Sequence, residues 1–236
     1  MIHVVGVDGC RSGWCAVSIR YEENGLTVSP PVINPSFRDV VASKAKVICI
    51  DIPIGLLDGP GRRACDAEAR NQLGRRASVV FNPPCRAALS IEDYWEASAA
   101  NFRVTGRKLS KQADGIRRKI REVDSGMTPD RQARVHEVHP ELCFWALNDH
   151  EPALSNKKRL AGRHERWQSL RTVLPLQPEP LRPRDLPHAC AVDDYIDALV
   201  AAWTAVCISR GSAQRIPSQP EMDEKGLRME MWYPAV

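Results

Sequence analysis

Carboxylate side chains end two apolar segments of this 236-residue sequence, and their positions favour metal chemistry. Asp8 follows the run Val4–Val7, and Asp51 follows the run Val47–Ile50. Both runs are typical of strands buried in a sheet. Ligands bind at the carboxyl ends of strands in open α/β sheets, and neighbouring strands lie about 5 Å apart. If the two strands are adjacent, Asp8 and Asp51 can share a divalent ion; each could otherwise simply be a turn residue.

Three further carboxylates occur where an apolar segment must pack against the same core. Glu137 lies within the predicted strand Arg134–His139, and Asp194 and Asp197 open the predicted helix Asp193–Ser209. Residues three apart share one face of a helix, and the rest of this helix is strongly apolar. The alternatives are a solvent-facing edge strand for Glu137 and helix capping for the two aspartates.

Convergence of these carboxylates, with no evident lysine among them, would be strongly repulsive without cations. Oxygen ligands suit Mg²⁺ or Mn²⁺, and two such ions about 4 Å apart can promote phosphodiester cleavage. The sequence thus predicts a two-ion site with catalytic and metal-ligating carboxylates. In the predicted arrangement Asp8 bridges both ions, Asp51 and Glu137 hold one, and Asp194 and Asp197 hold the other.

The segments that would position these residues indicate an α/β fold. Three strands joined in a meander are followed by a helix and a fourth strand, and Asn24–Gly25 predicts a hairpin turn. Between Ile52 and Arg134 the chain is too long for an ordinary crossover, so we expect a helical insertion there. The predicted strands cover 3–8, 14–20, 26–29, 46–51, 134–139 and 226–233, and the predicted helices cover 36–43, 62–73, 91–102, 110–123, 141–147, 157–174 and 193–209.

Composition excludes a disordered or membrane-spanning chain. Hydrophobic residues make up 43% and charged residues 26% of the sequence, as in ordinary globular domains. The longest nearly apolar run, Ala198–Ile208, is shorter than the roughly 18 residues of a membrane span. The apolar start is too short for a signal peptide, so we expect a cytoplasmic protein with reduced cysteines and no membrane partner.

Several motifs resemble a family of uncharacterised bacterial and archaeal proteins described as predicted RNase H-like nucleases. The resemblance implies a single RNase H-like domain over residues 1–236, with a mixed sheet flanked by helices. The helical insertion expected from the chain length would then cover about 57–132, between strands 4 and 5. The matching motifs are V-G-V-D-G-C-R-S-G-W at 5–14, D-I-P-I-G-L at 51–56, R-x-C-D-x-E-A-R-x-x-L-G-R-R at 63–76, S-V-V-F-N-P-P-C-R at 78–86, L-S-K-Q at 109–112, K-I-R-E-V-D at 119–124, E-V-H-P-E at 137–141 and D-D-Y-I-D-A-L-V-A-A-W at 193–203.

The acidic residues also resemble the active-site pattern of RuvC-type Holliday-junction resolvases. Asp8, Asp51, Asp194 and Asp197 stand where that pattern has a strand-1 aspartate, a strand-4 acid and two aspartates on the last helix. The resolvase strand-4 ligand is a glutamate, whereas Asp51 is shorter. The longer side chain of Glu137 could reach the ion in place of that glutamate.

Basic residues are concentrated in the predicted insertion. The stretch Arg103–Arg121 holds eight basic residues and one acidic residue, while the whole chain has a net charge of +4. Such a patch suits a phosphate backbone read by charge or shape, although it could also be an ordinary solvated helix face. The predicted substrate-binding residues are Arg86, Gln112, Arg117, Lys119 and His139.

The sequence therefore predicts a divalent-metal-dependent nuclease with nucleic acid as its partner. Two alternatives stay open: a non-catalytic nucleic-acid-binding or regulatory module, and a hydrolase or phosphotransferase acting on a small nucleotide. DNA and RNA are not distinguished, and a homodimer is compatible with the sequence.

Overall fold

Strands and helices alternate along the chain, and a computed structural model describes residues 1–23, 25–178 and 182–235. In these residues the elements are, in order, β1 (Ile2–Cys10), β2 (Gly13–Glu22), β3 (Gly25–Val28), β4 (Val32–Asn34), α1 (Phe37–Ala42), β5 (Val47–Ile50), α2 (Ala64–Leu73), α3 (Tyr94–Thr105), α4 (Lys111–Gly115), α5 (Arg117–Gly126), α6 (Pro129–Gln132), β6 (Val135–Glu137), α7 (Pro140–Leu147), α8 (Leu160–Arg171), α9 (Val192–Arg210), β7 (Ala213–Ile216) and β8 (Met231–Pro234).

The chain forms two units, and each has more than one chain segment. Unit 1 comprises Met1–Asp51, Arg134–Gln214 and Trp232–Val236, and unit 2 comprises Ile52–Ala133 and Arg215–Met231. The two segments of unit 2 include the stretch that the sequence predicts as a helical insertion.

A mixed sheet forms the centre of unit 1. Its strand order is β3-β2-β1-β5-β6, and β4 also pairs with β2. Strands β1, β2 and β3 are antiparallel neighbours, whereas β5 runs parallel to both β1 and β6. The predicted mixed sheet flanked by helices is therefore confirmed. Strands β7 and β8 form a separate two-stranded sheet.

Apolar, β-branched sequence explains why β1 and β5 lie at the centre of this sheet. All four residues of β5 are buried, as are Val4–Asp8 of β1. The helix α9 packs mainly on β1, and it also contacts β2 and β5. A Cβ atom at Gly6 would lie 2.0 Å from the backbone nitrogen of Ala202 in α9, so only glycine permits this approach of helix to strand.

Local capping sets several helix boundaries that the sequence predicts. The Ser36 hydroxyl accepts a hydrogen bond from the Asp39 N–H at the start of α1, and the Ser110 hydroxyl does the same for Ala113 at the start of α4. The single helix predicted over 110–123 is divided at Ile116 into α4 and α5. Asn24 of the predicted hairpin turn lies outside the described residues.

Unit 2 contains α2–α6 and a small apolar core of its own. That core includes Cys85, Ala88, Ala97 and Leu109. At the start of α3, the Asp93 carboxylate accepts hydrogen bonds from two backbone N–H groups. In the described part of the chain, no helix combines the length and apolar character that a membrane span requires.

Candidate metal centre

The register of β1 and β5 brings Asp8 and Asp51 together. Val7 lies opposite Ile50 in this parallel pair, and the Asp51 N–H donates to the Val7 carbonyl at 2.9 Å. The adjacency that the sequence argument required is therefore present. Oδ1 of Asp8 accepts the Gly9 N–H at 2.7 Å, which fixes the orientation of this carboxylate.

The third carboxylate comes from α9. Asp197 precedes Ala198, whose carbonyl oxygen would lie 2.2 Å from a Cβ at Gly6. The close contact at Gly6 thus places Asp197 over the end of β1 that carries Asp8. Asp197 is 1% exposed, so its carboxylate is withdrawn from solvent.

Asp8, Asp51 and Asp197 form a compact group, which we call the triad. Each contributes one carboxylate oxygen, and these three oxygens all lie within 4.8 Å of one another. Oδ1 of Asp197 is buried and has no hydrogen-bond partner among the residues that the structure describes. A buried carboxylate oxygen without a partner is costly. An all-oxygen set with an unsatisfied buried member therefore fits a hard divalent ion.

Burial and mutual repulsion raise the pKa values of the triad. Burial is the main cause for Asp8, whose pKa lies well above its usual range, and the charges of Asp51 and Asp197 add to it. Burial likewise raises the pKa of Asp51 to about 6 and that of Asp197 to about 6. The charge of Asp51 also raises the pKa of Asp197, that of Glu141 raises the pKa of both, and Lys157 acts in the opposite direction. Raised carboxylate pKa values of this kind are compatible with a cation-binding site.

A lysine that the sequence analysis missed lies beside the triad. Nζ of Lys157 is 2.5 Å from Oδ2 of Asp197. The charges of Asp197, Asp51 and Asp8 all raise the pKa of Lys157. The expectation that no lysine lies among these carboxylates was therefore wrong. Lys157 is separated from Asp197 by 40 residues, so no local spacing could have linked them.

A buried ion pair supports this part of unit 1. Oε1 of Glu141 lies 2.6 Å from Nη2 of Arg166, and both side chains are almost fully buried. Nη1 of Arg166 also donates to the carbonyls of Ser155 and Gly162. Because the charge of Glu141 raises the pKa of both Asp51 and Asp197, Arg166 neutralises a carboxylate that belongs to the electrostatic surroundings of the triad.

The other two predicted ligands, Asp194 and Glu137, are not members of the triad. The Asp194 carboxylate accepts the Ala191 N–H at 3.0 Å and thereby caps α9. Its charge still contributes to the raised pKa of Asp8. Glu137 is 3% exposed in β6, where it is paired with Ile50 of β5. Their assignment as metal ligands stays a prediction.

Four of the five predicted substrate contacts belong to unit 2, and two of them make several internal contacts. The Arg86 guanidinium pairs with three carboxylates, those of Asp58, Asp124 and Asp223. Arg117 is buried and donates to two backbone carbonyls. Gln112 is exposed in α4, Lys119 is half-buried in α5, and His139 of unit 1 precedes α7. Their roles as substrate contacts stay a prediction.

Comparison with known proteins identifies the family but not an activity. Residues 6–222 match the family described as "Protein of unknown function (DUF429)", and the chain belongs to this family. No curated protein matches the chain. No solved structure matches it either.

Proposed function

We propose that this protein is a divalent-metal-dependent nuclease with an RNase H-like catalytic unit. The observation that carries the proposal is the triad, in which three carboxylates converge and a buried oxygen of Asp197 has no hydrogen-bond partner among the described residues. A site built to bind phosphate alone would gain nothing from such carboxylates. A site that holds Mg²⁺ or Mn²⁺ needs them.

The topology of unit 1 supports an RNase H-like assignment. The triad residues come from the first strand, from the end of the parallel strand beside it, and from the helix α9 that covers both. In the resolvase pattern the acidic residues also come from two strands and the last helix. The proposed likeness therefore rests on the order and position of the acids along the chain.

The triad has complementary tasks in the proposed reaction. The Asp8 carboxylate is oriented by the Gly9 N–H, and the backbone of Asp51 is held against β1 by its own N–H. When bound, a divalent ion supplies the positive charge that activates water and stabilises the leaving oxygen of a phosphodiester. The sequence predicts two such ions, and a second one would call on Asp194 or Glu137 as an additional ligand.

Nucleic acid is the proposed substrate because exposed basic side chains cluster in unit 2. Arg103, Lys108 and Lys111 are exposed, whereas Arg118 and Arg121 pair with Glu92. Charge of this kind favours binding to a phosphate backbone without sequence-specific contacts.

The test compares wild-type protein with Asp8→Asn and with Asp193→Asn. Asp193 is an acid of the same helix N-terminus that pairs with Arg163 and is outside the triad, so it serves as the matched control. A panel of labelled single-stranded, double-stranded, hybrid and junction substrates is incubated with Mn²⁺ or Mg²⁺. We expect the wild type and the control to cleave at least one substrate, and Asp8→Asn to lose about 100-fold or more in rate. Wild-type activity in Asp8→Asn would refute the proposal, and metal binding without any cleavage would favour the non-catalytic alternative.

A further inference from the structure

Lys157 places a positive charge on the triad, and the surrounding structure fixes its position. The lysine lies in the turn before α8, and the peptide bond between Asn156 and Lys157 passes close to that helix. A Cβ at Gly162 would lie 2.1 Å from the Asn156 carbonyl oxygen, so a side chain there would push this turn away. Arg166 also binds the carbonyl of Ser155 at 3.1 Å. The turn is thus held from two directions.

The two carboxylate oxygens of Asp197 differ in their hydrogen bonding. Oδ2 is taken by the Lys157 ammonium group at 2.5 Å. Oδ1 is buried and has no hydrogen-bond partner among the described side chains and backbone groups. One oxygen of this carboxylate can therefore bind an ion while the other keeps its lysine.

The formal charges favour a single divalent ion. Three ionised carboxylates in the triad carry three negative charges, and Lys157 offsets one of them. The neighbouring Glu141 is offset by Arg166. Two negative charges remain on the triad itself, which one Mg²⁺ or Mn²⁺ balances. The charge of Asp194 also acts on Asp8, but its carboxylate caps the N-terminus of α9, where the helix favours a negative charge. A second ion would leave a buried excess of positive charge next to the ammonium group, which is unfavourable in a low-dielectric site.

We propose that the Lys157 ammonium group takes the place of a second metal ion, so that the triad binds one divalent ion and Lys157 supplies the other positive charge to the phosphate of the substrate. This inference rests on the proposed function and deepens it. The side chain of Lys157 is 35% exposed, whereas that of Asp197 is 1% exposed, so a substrate phosphate can approach the lysine from solvent. The inference replaces the two-ion arrangement that the sequence predicts with one ion and one lysine.

The experiment measures the number of Mn²⁺ ions bound per chain, by calorimetric titration and by electron paramagnetic resonance. The proteins are the wild type, Lys157→Gln, Lys157→Arg and the control Lys158→Gln, which alters the exposed neighbouring lysine. We expect one uncoupled ion in the wild type, in Lys157→Arg and in the control. In Lys157→Gln the first ion should bind at least about tenfold more tightly, because a nearby positive charge is gone. A second, spin-coupled ion should then enter.

The possible results separate this inference from the proposed function. Two coupled ions in the wild type would refute the role of Lys157 while leaving a metal-dependent nuclease intact, and this result does not depend on how any variant folds. Unchanged affinity and stoichiometry in folded Lys157→Gln would also refute it. Absence of Mn²⁺ binding to the wild type, with or without a short oligonucleotide, would overturn both proposals.

Discussion

Replacing Asp51 by asparagine should make the metal-free protein more stable at neutral pH. Burial raises the pKa of Asp51 from its usual 3.8 to about 6, so the folded protein holds this proton more tightly than the unfolded chain does. The stabilisation of the folded state by this proton is complete below the pKa of Asp51 in the unfolded chain. It is lost as the pH rises through the pKa of Asp51 in the folded protein. Asparagine keeps the size of the side chain and removes the charge.

The size of this effect follows from the shift. A difference of roughly two pKa units corresponds to about 3 kcal/mol in the free energy of unfolding. About 2 kcal/mol of this should be lost between about pH 4.5 and about pH 7.5, because that window begins just above the unfolded pKa of 3.8 and ends above the folded pKa of about 6. Since Asp51 is only half-buried, solvent screening reduces the difference, and about 1 to 2 kcal/mol is the expected gain for Asp51→Asn at the higher pH.

Urea unfolding in the presence of a chelator measures this gain at the two pH values. The control is Asp130→Asn, which alters an exposed aspartate of unit 2 and should follow the wild type. Added Mn²⁺ should then stabilise the wild type, because a ligand that binds only the folded state stabilises that state. The stability of Asp51→Asn should be almost unchanged, because this variant lacks one carboxylate of the triad. If Asp51→Asn were less stable than the wild type at about pH 7.5, or differed from it equally at both pH values, the electrostatic argument would be wrong.

The remaining predictions concern stability and the two proposals. Gly6→Ala should destabilise the protein by about 3 kcal/mol or more, measured by urea unfolding, because the new methyl group collides with the backbone of α9; an unchanged midpoint would contradict the packing of α9 on β1. Arg166→Met should cost about 3 to 5 kcal/mol in the same assay by leaving Glu141 buried and unpaired, and the double variant with Glu141→Leu should recover much of that loss. Loss of cleavage in Asp8→Asn and a change of ion stoichiometry in Lys157→Gln complete the set, with the assays described above.

The sequence predicts the central elements of unit 1 because their signals are local. The apolar runs of β1 and β5 and the long apolar helix α9 were each identified close to their observed boundaries. The strand β4 was missed because it has three residues and follows two prolines. The helix predicted from Lys157 begins instead at Leu160, which leaves Lys157 in a turn.

The sequence predicts the residues of the candidate site that lie at strand ends. It does not predict those that reach the site through contacts between distant parts of the chain. Asp8, Asp51 and Asp197 could be proposed from their positions after apolar strands and within an apolar helix. The lysine at Asp197 could not, because its approach depends on how the turn before α8 folds back onto α9. Asp194 and Asp197 have equivalent spacing signals, and only the packing of α9 shows that Asp194 caps the helix.

The order in which the triad residues occur along the chain has a consequence for biosynthesis. Asp8 and Asp51 leave the ribosome before Asp197, which follows only with α9, after the whole of 52–133 has been made. A nascent chain that lacks α9 holds two of the three carboxylates and is without the helix that packs on β1. The triad can therefore form only after translation has passed α9. Release of a truncated product would yield a protein without the triad, and not one with a weakened form of it.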